Sequence, residues 1–399
     1  MNKPSIKSTA TLFIKSFLVL MILTLCFFFF IGTAIIEKKA NAVIQSPPYK
    51  ASQKAIELHK TLQAADLHAD SLLWGRDLLV KSSLGHTDIP RLIEGNVFLQ
   101  VFAVVSKTPR NLNIEQNDDK TDNIIFLAIA NRWPFKTWNS LKERALYQAS
   151  RLKEMSKNSK GVFVLIESKS DLIHFLERKK QEKNIVSGLL ALEGAQVLEG
   201  NPANVDVLYA AGYRMMAPTH FFDTEMGGSA HGMKKGGLTD NGKEMIRRME
   251  EKGMIVDLAH ASKQTIDDIL KLAKRPVVVS HTGVKGTCNN NRNLSDSQLK
   301  AIAANGGLIG IGFWETATCG KDATSIANSI QYTANLIGVN HIALGSDFDG
   351  GIKAPFDTTG LVLITDALIQ KGFTDDEIGK IMGGNEIRFM LENLLDNRL

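Results

Sequence analysis

Nine short, continuous apolar runs recur along the chain with amphipathic stretches between them, and this rhythm constrains the fold more than any other feature. The runs occupy 64–67, 97–104, 162–166, 186–192, 213–217, 254–258, 276–279, 308–312 and 342–344. Helical patterns lie between them at 138–157, 242–252, 263–274, 296–305 and 325–337. A strand buried on both faces reads as an unbroken apolar run, whereas a half-exposed strand alternates. Such strands alternating with helices imply a parallel α/β fold. A closed eight-stranded barrel needs about 250 residues, and the 399-residue chain supplies them. One of the nine runs must then lie outside the barrel, and 162–166 is assigned there.

The N-terminus obeys a different rule. Residues 17–36, FLVLMILTLCFFFFIGTAII, carry no charge. As a helix they reach about 30 Å, the thickness of the bilayer hydrocarbon core. Lys3, Lys7 and Lys15 precede the run, which predicts a cytoplasmic start and export of the downstream chain. A cleaved signal peptide is the alternative, with Ala40-Asn41-Ala42 as its cleavage triplet. The chain therefore divides into a basic tail at 1–16, a transmembrane anchor or uncleaved signal at 17–36, a lead-in at 37–63, a catalytic body at 64–393 and a tail at 394–399. Of the net charge of +5, residues 1–42 carry +4. The nearly neutral body excludes a nucleic-acid-binding face. Three cysteines exclude a disulfide-built scaffold and a four-cysteine zinc site. Cys26 lies in the apolar run, and Cys288 and Cys319 are the exported pair. For these two, a disulfide and two free buried thiols both stay open.

Ligand-type residues gather at strand ends. His68 and Asp70 close the first run, and in extended chain residues i and i+2 point the same way. Glu193 ends the run at 186–192 and is followed by Gly194, so its carboxylate has room to bridge two ions. His260 and His281 end two successive runs. In a parallel barrel all five positions lie at the C-terminal rim, where such folds build their sites. Mixed imidazole and carboxylate ligands suit zinc, less so manganese or iron. Two ions sharing a carboxylate lie roughly 3.5–4 Å apart and hold a hydroxide between them. Asp347, in Gly345-Ser346-Asp347-Phe348-Asp349-Gly350, is placed to take up and pass on a proton. Asp349 is its rival. His220 is placed to polarise a carbonyl, and Arg292 to clamp a carboxylate with two parallel bonds. The stretch GGSAHG at 227–232 lacks nucleotide-binding spacing. It is read as a mobile loop over the pocket, with His231 an extra polar candidate.

Taken in order, DLHAD, DIPRLIEGN, ALEGA, MMAPTH, VDLAHAS, VVVSHT, the NRN around Arg292, GSDFDG and GGNEIRF make the chain from about 64 to 393 resemble the membrane dipeptidase family, also called renal dipeptidase or peptidase family M19, within the metal-dependent amidohydrolase-like barrels. The resemblance implies a TIM-type (β/α)8 barrel with a binuclear zinc centre, two Zn(2+) per chain. It implies that His68, Asp70 and Glu193 hold one ion, and that Glu193, His260 and His281 hold the other. It implies substrate binding by His220 and Arg292 and acid/base catalysis by Asp347. Cys288 and Cys319 sit close to positions paired in animal members, which favours the disulfide. The family often has Gly-Gly-His after the bridging Glu, whereas this chain has Gly194-Ala195-Gln196, a change expected to alter the pocket wall. The loop at 221–236 also departs from the animal pattern and looks like a bacterial variant.

These readings imply zinc-dependent hydrolysis of dipeptides with a free C-terminal carboxylate, tolerating a D-residue at the second position. A related amidohydrolase acting on a β-lactam, a lactone or an N-acyl amino acid is the alternative reading. A tethered binding protein with a degenerate site is a third. The expected setting is the bacterial inner membrane with the catalytic body facing the periplasm or exterior, or a soluble periplasmic or secreted form if the N-terminus is cleaved. The expected partners are a dipeptide-like substrate, the membrane through the N-terminal helix and a second copy in a homodimer, with no nucleic acid.

Overall fold

The structure, a computed structural model, describes residues 6–396; Lys3 and the end of the tail at 397–399 lie outside the described residues. All nine apolar runs form strands, and all pair in parallel. They are β1 (Ala64–Ala69), β2 (Val97–Val104), β3 (Phe163–Leu165), β4 (Val186–Leu192), β5 (Tyr213–Met216), β6 (Ile255–Val256), β7 (Val278–Thr282), β8 (Leu308–Ile311) and β9 (Ile342–Leu344). One sheet runs β1-β2-β4-β5-β6 and the other β7-β8-β9. Parallel bridges Asp257–Val278 and Ala69–Phe348 link the two sheets at both seams.

The run assigned outside the main path, β3, pairs with the first half of β4 through Phe163–Val186 and Leu165–Gly188. β2 takes the other edge of β4 along its length. β5 takes over from β3 further along, at Leu190–Tyr213 and Leu192–Met216. One edge of a long strand thus serves two short ones.

Helices sit where the periodicity places them, and local polar residues fix their starts. Ser140 caps Leu141–Asn158, Ser262 caps Lys263–Leu272, and Ser295 with Gln298 forms a capping box on Asp296–Ala304. Each cap satisfies backbone N–H groups that lack an intrahelical partner. The helices cover the strands, so β1, β4, β5, β7, β8 and β9 are buried throughout. That is the cause of their unbroken apolar sequence.

The N-terminal helix runs from Ile6 through a π-helical turn at Phe27–Gly32 to Ala40. It is longer than the 17–36 span read from composition. Among the described residues it is the one helix long and apolar enough to cross a membrane. The segment at 37–63 is packed onto the body. Glu37 is buried and ion-paired with Arg76. Ile44 N–H donates to the Ala354 carbonyl at 2.9 Å, and the Tyr49 hydroxyl donates to Asp357 at 3.1 Å.

Candidate metal centre

The β1 strand carries His68 near its end and delivers Asp70 just beyond it. The Asp70 N–H donates to the Phe348 carbonyl at 2.8 Å, which ties the rim of β1 to the loop after β9. Glu193 follows β4, and its N–H is held by the Val104 carbonyl at 3.1 Å. His220 follows β5, His260 follows β6 and His281 lies within β7. Because the strands are parallel, all these ends meet at one rim.

They converge on the Glu193 carboxylate. Its Oε1 lies 3.0 Å from His260 Nε2, 3.2 Å from His281 Nε2 and 3.6 Å from His68 Nε2. Its Oε2 lies 3.4 Å from His220 Nε2. His68 Nε2 is also 3.5 Å from Asp70. By mutual distance the donors fall into three groups: His68, Glu193 and His281; Glu193, His220 and His260; and His68, Asp70 and Asp347. The groups overlap: His260 Nε2 and His281 Nε2 lie 2.9 Å apart, and both are close to Glu193 Oε1, so the Glu193, His260 and His281 set that the resemblance implies is also close-packed. All five expected ligands are brought to one point.

The donor set fits divalent cations. Buried polar atoms are nearly always paired, and an unpaired one costs stability. Here Asp70 Oδ1, His68 Nε2, His220 Nδ1 and His260 Nδ1 are buried with no hydrogen-bond partner among the described residues. Three carboxyls share the space. Burial, reinforced by the Asp70 charge, pushes Glu193 up to about 7. Burial and then Asp70 hold the Asp347 carboxyl well above its ordinary range. Burial pulls His68 down, but the Asp70 and Glu193 carboxylates overcome it and hold this imidazole well above its usual range. Burial and the neighbouring positive groups hold His220, His260 and His281 well below theirs, in the neutral form that ligates metal. Carboxylates this crowded and this dry need positive charge between them.

The cavity above the cluster holds about 460 Å³. Asp347 and Arg292 line it together with Glu193, His220, His260 and Trp314. A side chain at Gly350 would place its Cβ 2.1 Å from Asp347 Oδ1 and 2.7 Å from Asp70 Oδ2, so only glycine leaves room for both carboxylates. Asp347 and His260 both adopt left-handed backbone, φ 60° and 61°. Such strain in non-glycine residues gathers at functional sites. Arg292 is buried; its Nη2 donates to the His281 carbonyl at 2.7 Å, and its guanidinium lies 5.7 Å from the Trp314 ring. Burial lowers it to about 10, against the pull of Asp347 and Glu193, so it stays cationic at neutral pH.

Asp349 does not compete with Asp347. It is wholly buried and accepts bonds from Ser71 Oγ (2.5 Å), Arg76 Nη2 (2.7 Å) and the His86 N–H (2.6 Å). His231 lines the cavity with Nδ1 on the Ile114 carbonyl at 2.6 Å. Burial and then Arg292 push it down to about 3. The glycine-rich segment read as a mobile loop is part of the body instead. Ser229 bridges to Ala261, the Ala230 N–H donates to the His260 carbonyl at 2.8 Å, and Met226–His231 are buried. It braces His260, while Leu112 and Ile114 supply the cavity wall. Gln196 does not line the cavity. Its Nε2 donates to Ser106 Oγ and the Glu193 carbonyl, at 3.1 and 3.2 Å, beneath the Glu193 turn. Cys288 and Cys319 form a disulfide.

Two contributors carried no sequence signal. Ser280 Oγ lies 3.2 Å from His68 Nδ1 and 3.0 Å from His281 Nδ1, so one hydroxyl orients both rings. Asp257 accepts from the Ala259 and Ser280 N–H groups at 3.0 and 2.9 Å and locks the ends of β6 and β7 together.

A family model for membrane dipeptidase (peptidase family M19) matches residues 52–398. The chain belongs to the membrane dipeptidase family. That family is one of hydrolases, and the match takes in the helix Gln53–Thr61, which composition alone places in the lead-in. Dipeptidase aclJ of Aspergillus oryzae is 31% identical over 215 residues, 51% of this chain and 51% of that one. The chain thus spans about half the length of this relative. Dipeptidase verJ of Clonostachys rogersoniana is 26% identical over 321 residues, 77% of this chain and 82% of its own. The same fold is seen in a metallo peptidase from Rhodobacter sphaeroides, solved with a phosphinate mimic of the dipeptide L-Ala-D-Ala. It superposes with a TM-score of 0.68 at 22% identity, covering 84% of this chain and 99% of that one.

Proposed function

We propose that this chain is a zinc-dependent dipeptidase with a closed TIM-type barrel, acting on dipeptides with a free C-terminal carboxylate. We place it on the outer face of a bacterial inner membrane, held by its N-terminal helix. The observation that carries the reading is one cavity containing both the Glu193-centred donor cluster and a buried, cationic Arg292 with no carboxylate in ion-pair contact among the described residues. A binding protein with a degenerate site has no use for this many unpaired buried donors.

His68, Asp70, Glu193, His260 and His281 would hold two cations, with Glu193 shared. When bound, the cations supply Lewis-acid activation of the substrate carbonyl and of water. Arg292 receives the substrate carboxylate and fixes the peptide bond beneath it. His220, neutral in its buried setting, donates an N–H to the carbonyl oxygen as charge develops there. Asp347 accepts the proton of the attacking water and passes it to the leaving amine as the C–N bond breaks. Trp314 and Ile114 close the cavity sides and exclude bulk water. The bound mimic in the Rhodobacter structure supports a D-residue at the second position.

The test is purified full-length protein assayed for metal content and for hydrolysis of L,L- and L,D-dipeptides, N-acyl amino acids and a β-lactam. The reading requires bound divalent metal, preference for dipeptides and loss of activity on chelation. Metal-free protein that hydrolyses as before would refute it. A preference for N-acyl substrates would move it to the related amidohydrolase class.

A further inference from the structure

We propose that the face built by the helices Ile124–Ala130 and Lys136–Asn139, with the turn at Arg132 between them, rests on the lipid bilayer that the N-terminal helix spans. The mouth of the metal site then opens beside the headgroups. The inference rests on the anchor reading of that helix.

Side chains from 12 to 27 are exposed, and from 28 onward the helix is partly covered by the body. Those sixteen exposed residues span about 24 Å, short of the roughly 30 Å hydrocarbon core. Residues 28–31, where the body already touches the helix, supply the missing length. Arg132 marks the contact. Its Nη2 donates to the Phe29 carbonyl at 3.3 Å, and its guanidinium lies 4.5 Å from the Phe30 ring. If 17–36 were the span, this cation would sit about 9 Å below the hydrocarbon edge, a costly place for arginine. A span ending near Ile31, with Lys15 reaching back to the far interface, removes that cost. In either register this face touches the membrane.

Its composition fits that place. Phe126 is 47% exposed and Phe135 78%, large values for aromatics on a folded surface. Arg110 lies 5.0 Å over Phe126, and Phe135 packs edge-on against Trp138 at 4.6 Å. Arg110 and Arg132 make no ion pair among the described residues; Lys136 pairs with Glu143. Aromatic rings with free arginines are the composition of a membrane interface. The first of these helices reaches the site, because Ile124 and Leu127 line its cavity beside Ala40 of the N-terminal helix.

Full-length protein in bilayer nanodiscs tests this with a bimane label and brominated lipid as quencher. Cys26 is the one free cysteine among the described residues and lies in the helix, so labelled wild type reports insertion. In a Cys26→Ser background, labels at Phe126→Cys and Phe135→Cys report the face. A label at Glu182→Cys, just before β4 at the opposite rim, reports the far side. Retained dipeptide hydrolysis verifies folding of each variant. The expected result is loss of emission at 126 and 135 comparable with that at Cys26, and none at 182. Quenching at Cys26 with 126 and 135 as bright as 182 would overturn the proposal. So would shielding of 126 and 135 by a second copy, seen as label-to-label coupling without lipid quenching. An unquenched Cys26 would overturn the anchor reading instead.

Discussion

Replacing Arg292 by alanine should lower kcat/KM for a dipeptide by roughly 10²-fold. The guanidinium is buried, one Nη is used on the His281 carbonyl, and the other is 3.4 Å from Thr282 Oγ1. Its charge is opposed by burial and left without a direct ion-pair partner among the described residues, so on the proposed reading a substrate carboxylate would complete it. A hydrogen bond to a charged group contributes about 1.5–3 kcal/mol. A net loss near 3 kcal/mol, at about 1.4 kcal/mol per tenfold, gives the figure stated. The assay compares a dipeptide with its C-terminal amide in wild type and Arg292→Ala, with bound metal measured in both. The amide should already be poor with wild type and lose little more in the variant, since the missing pair cannot be lost twice. Arg292→Lys keeps charge without the planar fork and should recover only part of the loss. If dipeptide and amide fall equally, recognition of the carboxylate lies elsewhere. If metal leaves with the arginine, its bond to the His281 carbonyl is what matters, and the reasoning fails.

Glu193→Gln should reduce bound metal at both positions, because a neutral amide bridges poorly; elemental analysis showing full occupancy would contradict it. Glu386 is buried with both carboxyl oxygens unpartnered among the described residues, and burial, then Asp66, holds its carboxyl well above the ordinary range. The folded state therefore keeps a proton that the unfolded state releases near pH 4.3, about the usual value, so its stabilising effect is complete below that pH and is lost as pH rises toward the folded value. Glu386→Gln should flatten the decline of Tm between acid and neutral pH; an unchanged slope would show the group plays no part. Breaking the Cys288–Cys319 bridge, whose cysteines are 31 residues apart, should cost roughly 3–4 kcal/mol on the chain-entropy account. Denaturant titration of Cys288→Ser with Cys319→Ser, showing no shift in midpoint, would refute that.

The strand pattern and the five expected ligands are legible in the sequence for one physical reason. Doubly covered parallel strands must be apolar throughout, so a charged or imidazole residue at their end is conspicuous, and parallel strands bring their ends to one rim. The residues that support those ligands are not legible. Ser280 is 212 positions from the His68 it orients, and Arg76 is 273 positions from Asp349. A serine or arginine carries no periodic signal, and its partner is decided by the closed fold. The glycine-rich segment misleads for the opposite reason: its composition suits a flexible loop, but buried contacts with Thr265 and Ser262 override that tendency. Gln196 misleads similarly, because a turn of chain after Glu193 directs it beneath the carboxylate and away from the cavity.

Asp347 and Asp349 show how little separates the two kinds of residue. Both have left-handed backbone, at φ 60° and 64°, and both are carboxylates in one short loop after β9. Asp347 faces the cavity, where burial and then Asp70 raise its carboxyl well above the ordinary range. Asp349 faces inward, where burial would raise it, but Arg76 and His86 overcome this and hold it below the ordinary range. The Trp74 indole donates to the Asp349 carbonyl at 2.7 Å, and the Asp349 N–H meets His86 Nδ1 at 2.9 Å. Arg76 in turn pairs with Glu37, at the end of the N-terminal helix. A continuous line of buried ion pairs therefore runs from that helix to the loop presenting the candidate acid/base. A buried pair is costly to break from one side, since its partner is left charged and dry. Placement of the helix on the body and placement of Asp347 beside the donor cluster are consequently set by the same contacts.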